Sequence, residues 1–236
     1  EENQYRKYTV VDGNYLIKMK ELKNIGASLQ ESVQLLNDVD LTGYCDGFRQ
    51  LEQAEQKRIE RQQLLLQGFQ RKITLIESLE TELNQITLGM RPALWRMDHQ
   101  IEDQFRAQKA AVTARANWTD WMPAADLSFL FSAGDPEHAL HWGFAMEAPL
   151  AEALELDKQD SVYYPAVPCV RMVFCTHNEV FLRYENLQPA LSYLEKHAFA
   201  LAGDILGRSI ARVMGKENTI IHYYDVWLPI KDREIL

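Results

Sequence analysis

The stretch from Gln50 to Leu88 limits what this chain can fold into more than any other. It holds no proline and a single glycine, Gly68, and is dominated by Glu, Gln, Arg, Lys and Leu, residues that lose little side-chain freedom in a helix. One long helix is predicted over it. Its apolar residues Ile59, Leu66, Phe69, Ile73, Ile76, Leu79, Leu83 and Ile86 step by threes, fours and sevens, which draws a seam of the kind that a second helix covers. The alternative is a long helix lying along its own domain. The opposite face, charged for most of its length, favours a partner.

Two shorter helices precede it. Thr9, with Asp12 three residues on, is a helix start: the hydroxyl accepts from an orphan N–H of the first turn and the acid answers the helix dipole. Leu16, Met19, Leu22 and Ile25 then recur at helical spacing, and Gly26 supplies a left-handed end. Ser28-Leu29-Gln30-Glu31 is a complete capping box, opening a helix with Val33, Leu35 and Leu36 on its apolar side.

Beyond Leu88-Gly89 the texture changes to short β-like runs broken by turn residues. Strands are predicted at Arg91–Met97, Asp126–Ser132, Ala139–Glu147, Val167–His177, Asp204–Met214 and Thr219–Ile230, and helices at Ile101–Ala116 and Phe181–Phe199. Gly215-Lys216-Glu217-Asn218 reads as the hairpin turn between the last two strands. Strand-helix-strand-strand thus occurs twice, which suggests an internally duplicated α+β unit.

Composition excludes several classes. With 236 residues, 47% of them hydrophobic, the chain can bury one large core or two ordinary ones. No run of about 18 apolar residues is present, as a bilayer span would require. Glu1-Glu2-Asn3-Gln4 has neither the basic nor the apolar part of a signal peptide, so a cytoplasmic protein is expected. The opening at Glu1, without an initiator methionine, reads as part of a longer protein. A net charge of -9 and a pI near 5.2 have the wrong sign for coating nucleic acid, so any DNA contact is local. Cys45, Cys169 and Cys175 make an odd count without a CxxC pair, which argues against a disulfide framework and a zinc ribbon alike.

Tyr5-Arg6-Lys7-Tyr8-Thr9, and the string from Ile17 through Ile25-Gly26-Ala27-Ser28-Leu29-Gln30-Glu31, resemble the wing and the third and fourth helices of the MerR DNA-binding domain. The remainder resembles a GyrI-like effector domain, most clearly in Asn186-Leu187-Gln188 through Tyr193-Leu194 and in Tyr224-Asp225-Val226-Trp227-Leu228-Pro229-Ile230. The resemblance implies an α+β chain in three parts: residues 1–45, the remnant of a winged helix-turn-helix; residues 46–89, a dimerising coiled-coil helix; and residues 90–236, a GyrI-like duplicated effector domain. It places the family's own helix-turn-helix before Glu1. It also implies a homodimer that alters the conformation of double-stranded promoter DNA, with RNA polymerase and a bulky, hydrophobic or aromatic small molecule of multidrug type, cationic ones included, as further partners, and no membrane. Tyr5, Arg6 and Lys7 would hold DNA phosphates, which positions a protein without reading sequence.

For the small molecule, Leu140-His141-Trp142-Gly143-Phe144-Ala145-Met146 alternates large side chains with small or polar ones, so one strand face is bulky and the other nearly bare. Trp142, Phe144, Tyr164 and Tyr224 are the residues expected to line the binding site. The family's multidrug members often set a carboxylate in this pocket, and the resemblance puts that position at Gly207. Glu147, Asp126 and Asp225 are the substitutes, each read as a surface carboxylate. His138 with His141, and Cys169 with Cys175, lack convincing metal spacing, so no metal and no cofactor is expected. GxSxG, HExxH and phosphate-binding glycine loops are all missing from the sequence. A regulator is expected, not an enzyme; the alternatives are a GyrI-like hydrolase using a Tyr and a Glu in the cleft, or a coiled-coil adaptor.

Overall fold

Both predicted capping boxes close. Thr9 Oγ1 accepts from the Asp12 N–H at 3.2 Å while the Asp12 carboxylate accepts from the Thr9 N–H at 2.7 Å, starting α1 at Val10–Asn24. Ser28 and Glu31 repeat the pattern at 3.2 and 2.7 Å to start α2 at Leu29–Asn37. Gly26, at φ 95°, turns the chain between them. Leu22 and Ala27 are buried at this corner, and Asn37 Nδ2 donates to the Tyr15 hydroxyl at 2.8 Å. The computed structural model describes residues 8–178 and 182–231. It contains two compact units, Glu1–Gln63 and Leu64–Leu236.

The long helix α3 spans Leu41–Glu77, beginning and ending earlier than the predicted 50–88. It begins early because Asp40 Oδ1 accepts from the Gly43 N–H at 2.8 Å, an N-cap that the glycines of the first two turns, Gly43 and Gly47, obscure in the sequence. It ends early because strand pairing outweighs helix propensity. After Ser78 a single turn, α4 (Leu79–Glu82), leads to Asn84 at φ 61°, whose N–H donates to the Val173 carbonyl at 2.7 Å. The next residues form β1 (Ile86–Arg91), antiparallel to β7 (Val167–His177) from Ile86 opposite Met172 to Arg91 opposite Val167. Of the predicted seam, Ile59, Leu66, Phe69, Ile73 and Ile76 lie on α3, whereas Leu79 is on α4, Leu83 bridges to Val173 and Ile86 is in the sheet.

In the second unit every strand pair is antiparallel, in the order β1-β7-β9-β8-β4-β5-β2-β3, with β6 (Ser161–Tyr164) on β2. The strands are β2 (Leu94–Ile101), β3 (Gln104–Phe105), β4 (Asp126–Phe131), β5 (Leu140–Glu147), β8 (Ile205–Met214) and β9 (Ile220–Pro229). With α5 (Lys109–Thr119) and α7 (Gln188–Lys196), the chain runs β2-α5-β4-β5 and then β7-α7-β8-β9. The central order β7-β9-β8 then β4-β5-β2 is the same arrangement read outward from the β4–β8 seam, so the two halves are related by an approximate two-fold axis. The architecture is α+β, with a long helix and an antiparallel sheet.

Three elements differ from expectation. The predicted strand 91–97 is two strands divided at Pro92, which has no N–H for a ladder. Helix α5 starts at Lys109, not Ile101, because Glu102 at φ 49° turns β2 back into β3; Ile101 and Phe105, four apart, imitate a helical face. Pro189 sits in the first turn of α7, which follows a 3-10 turn at Tyr184–Leu187, so the predicted helix 181–199 is shorter; Phe181 lies outside the described residues. One short helix, α6 (Ala148–Ala153), is additional to the predicted elements and packs Ala151 into the core.

Both α5 and α7 lie on one face of the sheet. Ala114 and Trp118 of α5 join Met97, Phe144 and Met146, while Leu187, Ala190 and Leu194 join Phe129, Phe131, Phe174, Tyr224 and Val226. Leu64 and Leu65 of α3 pack at the border of the first cluster, and Gly68 lets the helix come close: a Cβ there would stand 2.6 Å from Ala124 Cα. Among the described residues no helix is long and apolar enough to cross a membrane.

Candidate small-molecule binding face

On the helix-bearing face, strand alternation sets aromatic rings in a row across the sheet. Phe174 on β7 lies 5.4 Å from Tyr224 on β9, Tyr224 lies 5.7 Å from Phe129 on β4, and Phe129 lies 5.9 Å from Trp142 on β5. Strand β8 intervenes between β9 and β4, and Gly207 is what lets the row cross it. A Cβ at Gly207 would stand 2.1 Å from the Phe129 ring, so the ring occupies the space where any larger residue would project. Two residues along β5, Phe144 continues the row toward β2, stacking at 4.9 Å on His99, which stacks at 5.9 Å on Phe105. His99 reaches this face through a bulge in β2 between Asp98 and Gln100.

Phe174, Phe144 and His99 are buried, and the row is open only at Trp142 and Phe105. Phe129 and Tyr224 are core; Trp142 is half-buried and Phe105 is exposed. Tyr184 adds a further ring, edge-on to Phe131 at 5.4 Å and stacked on His138 at 3.7 Å. Burial pushes the Tyr184 hydroxyl up. His99 is pushed down to about 4, chiefly by burial and then by the neighbouring Arg115 and Arg96, so its imidazole is neutral at physiological pH. Its Nδ1 is buried without a hydrogen-bond partner, a state that costs about 1–3 kcal/mol. Arg115, on α5, holds its guanidinium 5.3 Å over the Phe105 ring.

The structure brings together two of the four residues expected to line a site: Trp142 and Tyr224 are 6.4 Å apart with Phe129 against both. Phe144 shares their face but packs in the neighbouring cluster with Met97 and Trp118. Tyr164 stands elsewhere. It ends β6, outside the two repeats, and packs with Leu94, Leu130, Cys169 and Trp227 on the opposite face, its hydroxyl donating to Asp204 at 3.4 Å. Phe129, His99, Phe105 and Tyr184 were not singled out from sequence, because a bulged histidine and a ring opposite a glycine show up only once strands are paired. Tyr5, Arg6 and Lys7 lie outside the described residues.

The opposite face is built from charge. Asp225, fully buried, accepts from Arg171 Nε at 2.7 Å and from Arg208 Nη2 at 3.0 Å. Arg171 also reaches Glu82 at 2.7 Å, and Arg208 lies 3.5 Å from Asp126 and 3.7 Å from Glu147. From α3, Arg71 meets Asp126 at 2.8 Å and Glu147 at 3.1 Å, while Lys72 Nζ donates to the Ser209 carbonyl at 2.8 Å. Lys72 stands 3.6 Å from Asp126 Oδ1, which gives that oxygen a counter-charge but no hydrogen bond. Burial lowers Lys72, with Asp126 opposing and Arg208 and Arg71 reinforcing the shift. For Arg171 burial opposes the charge, yet Glu82 and Asp225 outweigh it and raise it above the ordinary range. The gap among Arg71, Asp126, Arg208 and Trp227 is only about 10 Å³, at the lower limit for one water.

Two expectations are thereby corrected. Asp126 and Asp225 are buried ion-pair partners, not surface carboxylates, and they lie on the face away from the aromatic row. The space opposite Gly143 is not bare: the buried Arg96 lies across it, donating to the His141 carbonyl at 2.8 Å and pairing with Asp98. Cys169 is buried, and burial pushes its thiol up to about 11; Cys175 is raised for the same reason and Cys45 is exposed. No cluster of metal-ligating side chains occurs among the described residues.

No protein-family model and no curated protein matches the chain. Solved structures with a similar arrangement include EcmrR in an EcmrR–DNA complex, 15% identical over 98% of this chain and 88% of that one, TM-score 0.39. The EcmrR C-terminal domain is 12% identical over 63% of this chain and 98% of its own, TM-score 0.40. A hydrolase from Listeria innocua is 11% identical over 66% of this chain and 96% of its own, TM-score 0.39. At such identities and TM-scores these likenesses establish no shared activity, partner or family for this chain.

Proposed function

We propose that the chain is a ligand-responsive, DNA-binding transcription regulator that works as a homodimer, its sheet unit being a GyrI-like sensor of bulky apolar molecules. The observation that carries this reading is the double use of α3. One side of it, with Leu64, Leu65, Gly68, Arg71 and Lys72, is held by the sheet unit. The other side presents Leu66, Phe69, Ile73 and Ile76 at 56, 56, 44 and 45% exposure in steps of three and four. Full burial of such a side chain contributes roughly 1.5–3 kcal/mol. Four from each of two chains reach the scale of the roughly 4–15 kcal/mol that association costs.

A helix fixed to a ligand-binding sheet on one side and to its own copy on the other transmits a change at the sheet into the dimer. Dimer geometry in turn sets the spacing of two DNA-binding ends. In this reading Tyr5, Arg6 and Lys7 hold promoter phosphates, RNA polymerase is the downstream partner, and the protein works in the cytoplasm. The ligand lies over the row that includes Trp142 and Tyr224. It is bound and not turned over, since the four strand carboxylates, Asp98, Asp126, Glu147 and Asp225, are engaged with arginines on the other face.

The dimer is tested by sedimentation equilibrium. The wild-type chain should sediment at twice its own mass. The double variant Leu66→Lys, Ile73→Lys should sediment as a single chain with unchanged far-ultraviolet dichroism, because both residues are exposed in the isolated chain. A wild-type monomer would sink the reading.

A further inference from the structure

The charge lining the aromatic face points to the ligand's chemistry. Strands β2, β4, β5 and β9 each carry one acid, and all four face away from the rings. At Gly207, the centre of the face, no side chain projects at all and Phe129 fills the space. Positive and hydrogen-bonding groups stand at one end instead. Arg115 is half-buried over Phe105 and has no ion pair among the described residues, although Asp103 and Asp120 lie exposed on neighbouring turns. Beneath it, His99 is more than nine-tenths buried between Phe105 and Phe144, with Nδ1 unpartnered. An exposed ring under an unpaired guanidinium, beside a buried nitrogen lacking a partner, is a half-made contact that an incoming acidic group would complete.

We infer that this face selects organic anions over cations: a flat apolar body lies over the two open rings, Trp142 and Phe105, which stand either side of Gln100 in register, and its acidic group meets Arg115, with His99 below. The inference rests on the sensor reading above and specifies its ligand class. Arg115 supplies the long-range attraction and a planar fork suited to a carboxylate or sulfonate. The neutral His99 imidazole offers a further hydrogen bond without adding a second fixed charge.

Three probes with one ring system test it: naphthoate, naphthamide and naphthylmethyl-trimethylammonium, each titrated into the full chain by calorimetry. Naphthoate should bind most tightly, ahead of the ammonium compound by roughly tenfold or more. Arg115→Ala should bring naphthoate down to the affinity of the amide while leaving the amide itself unchanged, and Arg115→Glu should reverse the order of the charged pair. A melting curve of each variant confirms folding. Tighter binding of the ammonium compound to the wild type, or a naphthoate preference that survives Arg115→Ala, overturns the inference. If Trp142→Ala abolishes that ammonium binding, the site and the sensor reading stand and only the charge preference is lost. Binding of none of the three also overturns the inference, while the dimer remains open to its own test.

Discussion

Asp225→Ala should destabilise the sheet unit by about 3–5 kcal/mol, the cost of breaking a buried ion pair from one side. Asp225 is fully buried and shared by two arginines, so its loss strands more charge than a simple pair would. Arg171 retains Glu82 at 2.7 Å, but Arg208 is left with Asp126 at 3.5 Å and Glu147 at 3.7 Å, neither hydrogen-bonded to it. Glu82→Ala is the control: that side chain is partly exposed, and exposed pairs contribute about 0–1 kcal/mol. All five tryptophans lie in the sheet unit, so urea unfolding followed by their fluorescence reports on this unit alone. A loss below about 1 kcal/mol for Asp225→Ala would mean that α3 and the sheet do not depend on the charged face.

Phe129→Ala should cost a comparable amount, about 3–5 kcal/mol, for a different reason. The ring is fully buried, touches Phe131, Trp142 and Tyr224, and covers Gly207, which has no side chain with which to fill the void. Gly207→Val alone should also destabilise, since its first carbon would stand 2.1 Å from the ring. The two together should cost less than their sum, by about 0.5–3 kcal/mol, because the valine enters the space the ring vacates. Strictly additive losses in the same urea experiment would show that the ring does not hold that space.

These two sites mark the limits of what the sequence discloses. Capping boxes at Thr9 and Ser28, the strands at 126–132, 139–147, 167–177, 204–214 and 219–230, and the duplication are all legible, because local hydrogen bonding and period-two alternation write them directly. The end of α3 is not. Residues 79–88 have good helix propensity, and only the open edge of β7, distant in sequence, turns Ile86–Arg91 into a strand. The same holds for the candidate binding face. Trp142 and Tyr224 stand out as aromatics on paired strands, but Tyr164 falls on the other face because its strand lies outside the repeats. Asp126 and Asp225 read as surface acids until Arg71, Arg171 and Arg208 arrive from three other elements.

The central claim, that a small molecule on the aromatic face changes what the dimer does on DNA, is tested most directly by transcription. The protein is expressed beside a library of promoter fragments from its source genome. Reporter output is then read with and without an aromatic compound that raises its melting temperature. The account predicts a promoter whose output depends on the protein and shifts with the compound, and a shift that disappears both in Trp142→Ala and in Leu66→Lys, Ile73→Lys. Output indifferent to the compound, or a compound consumed by the purified protein, would contradict it.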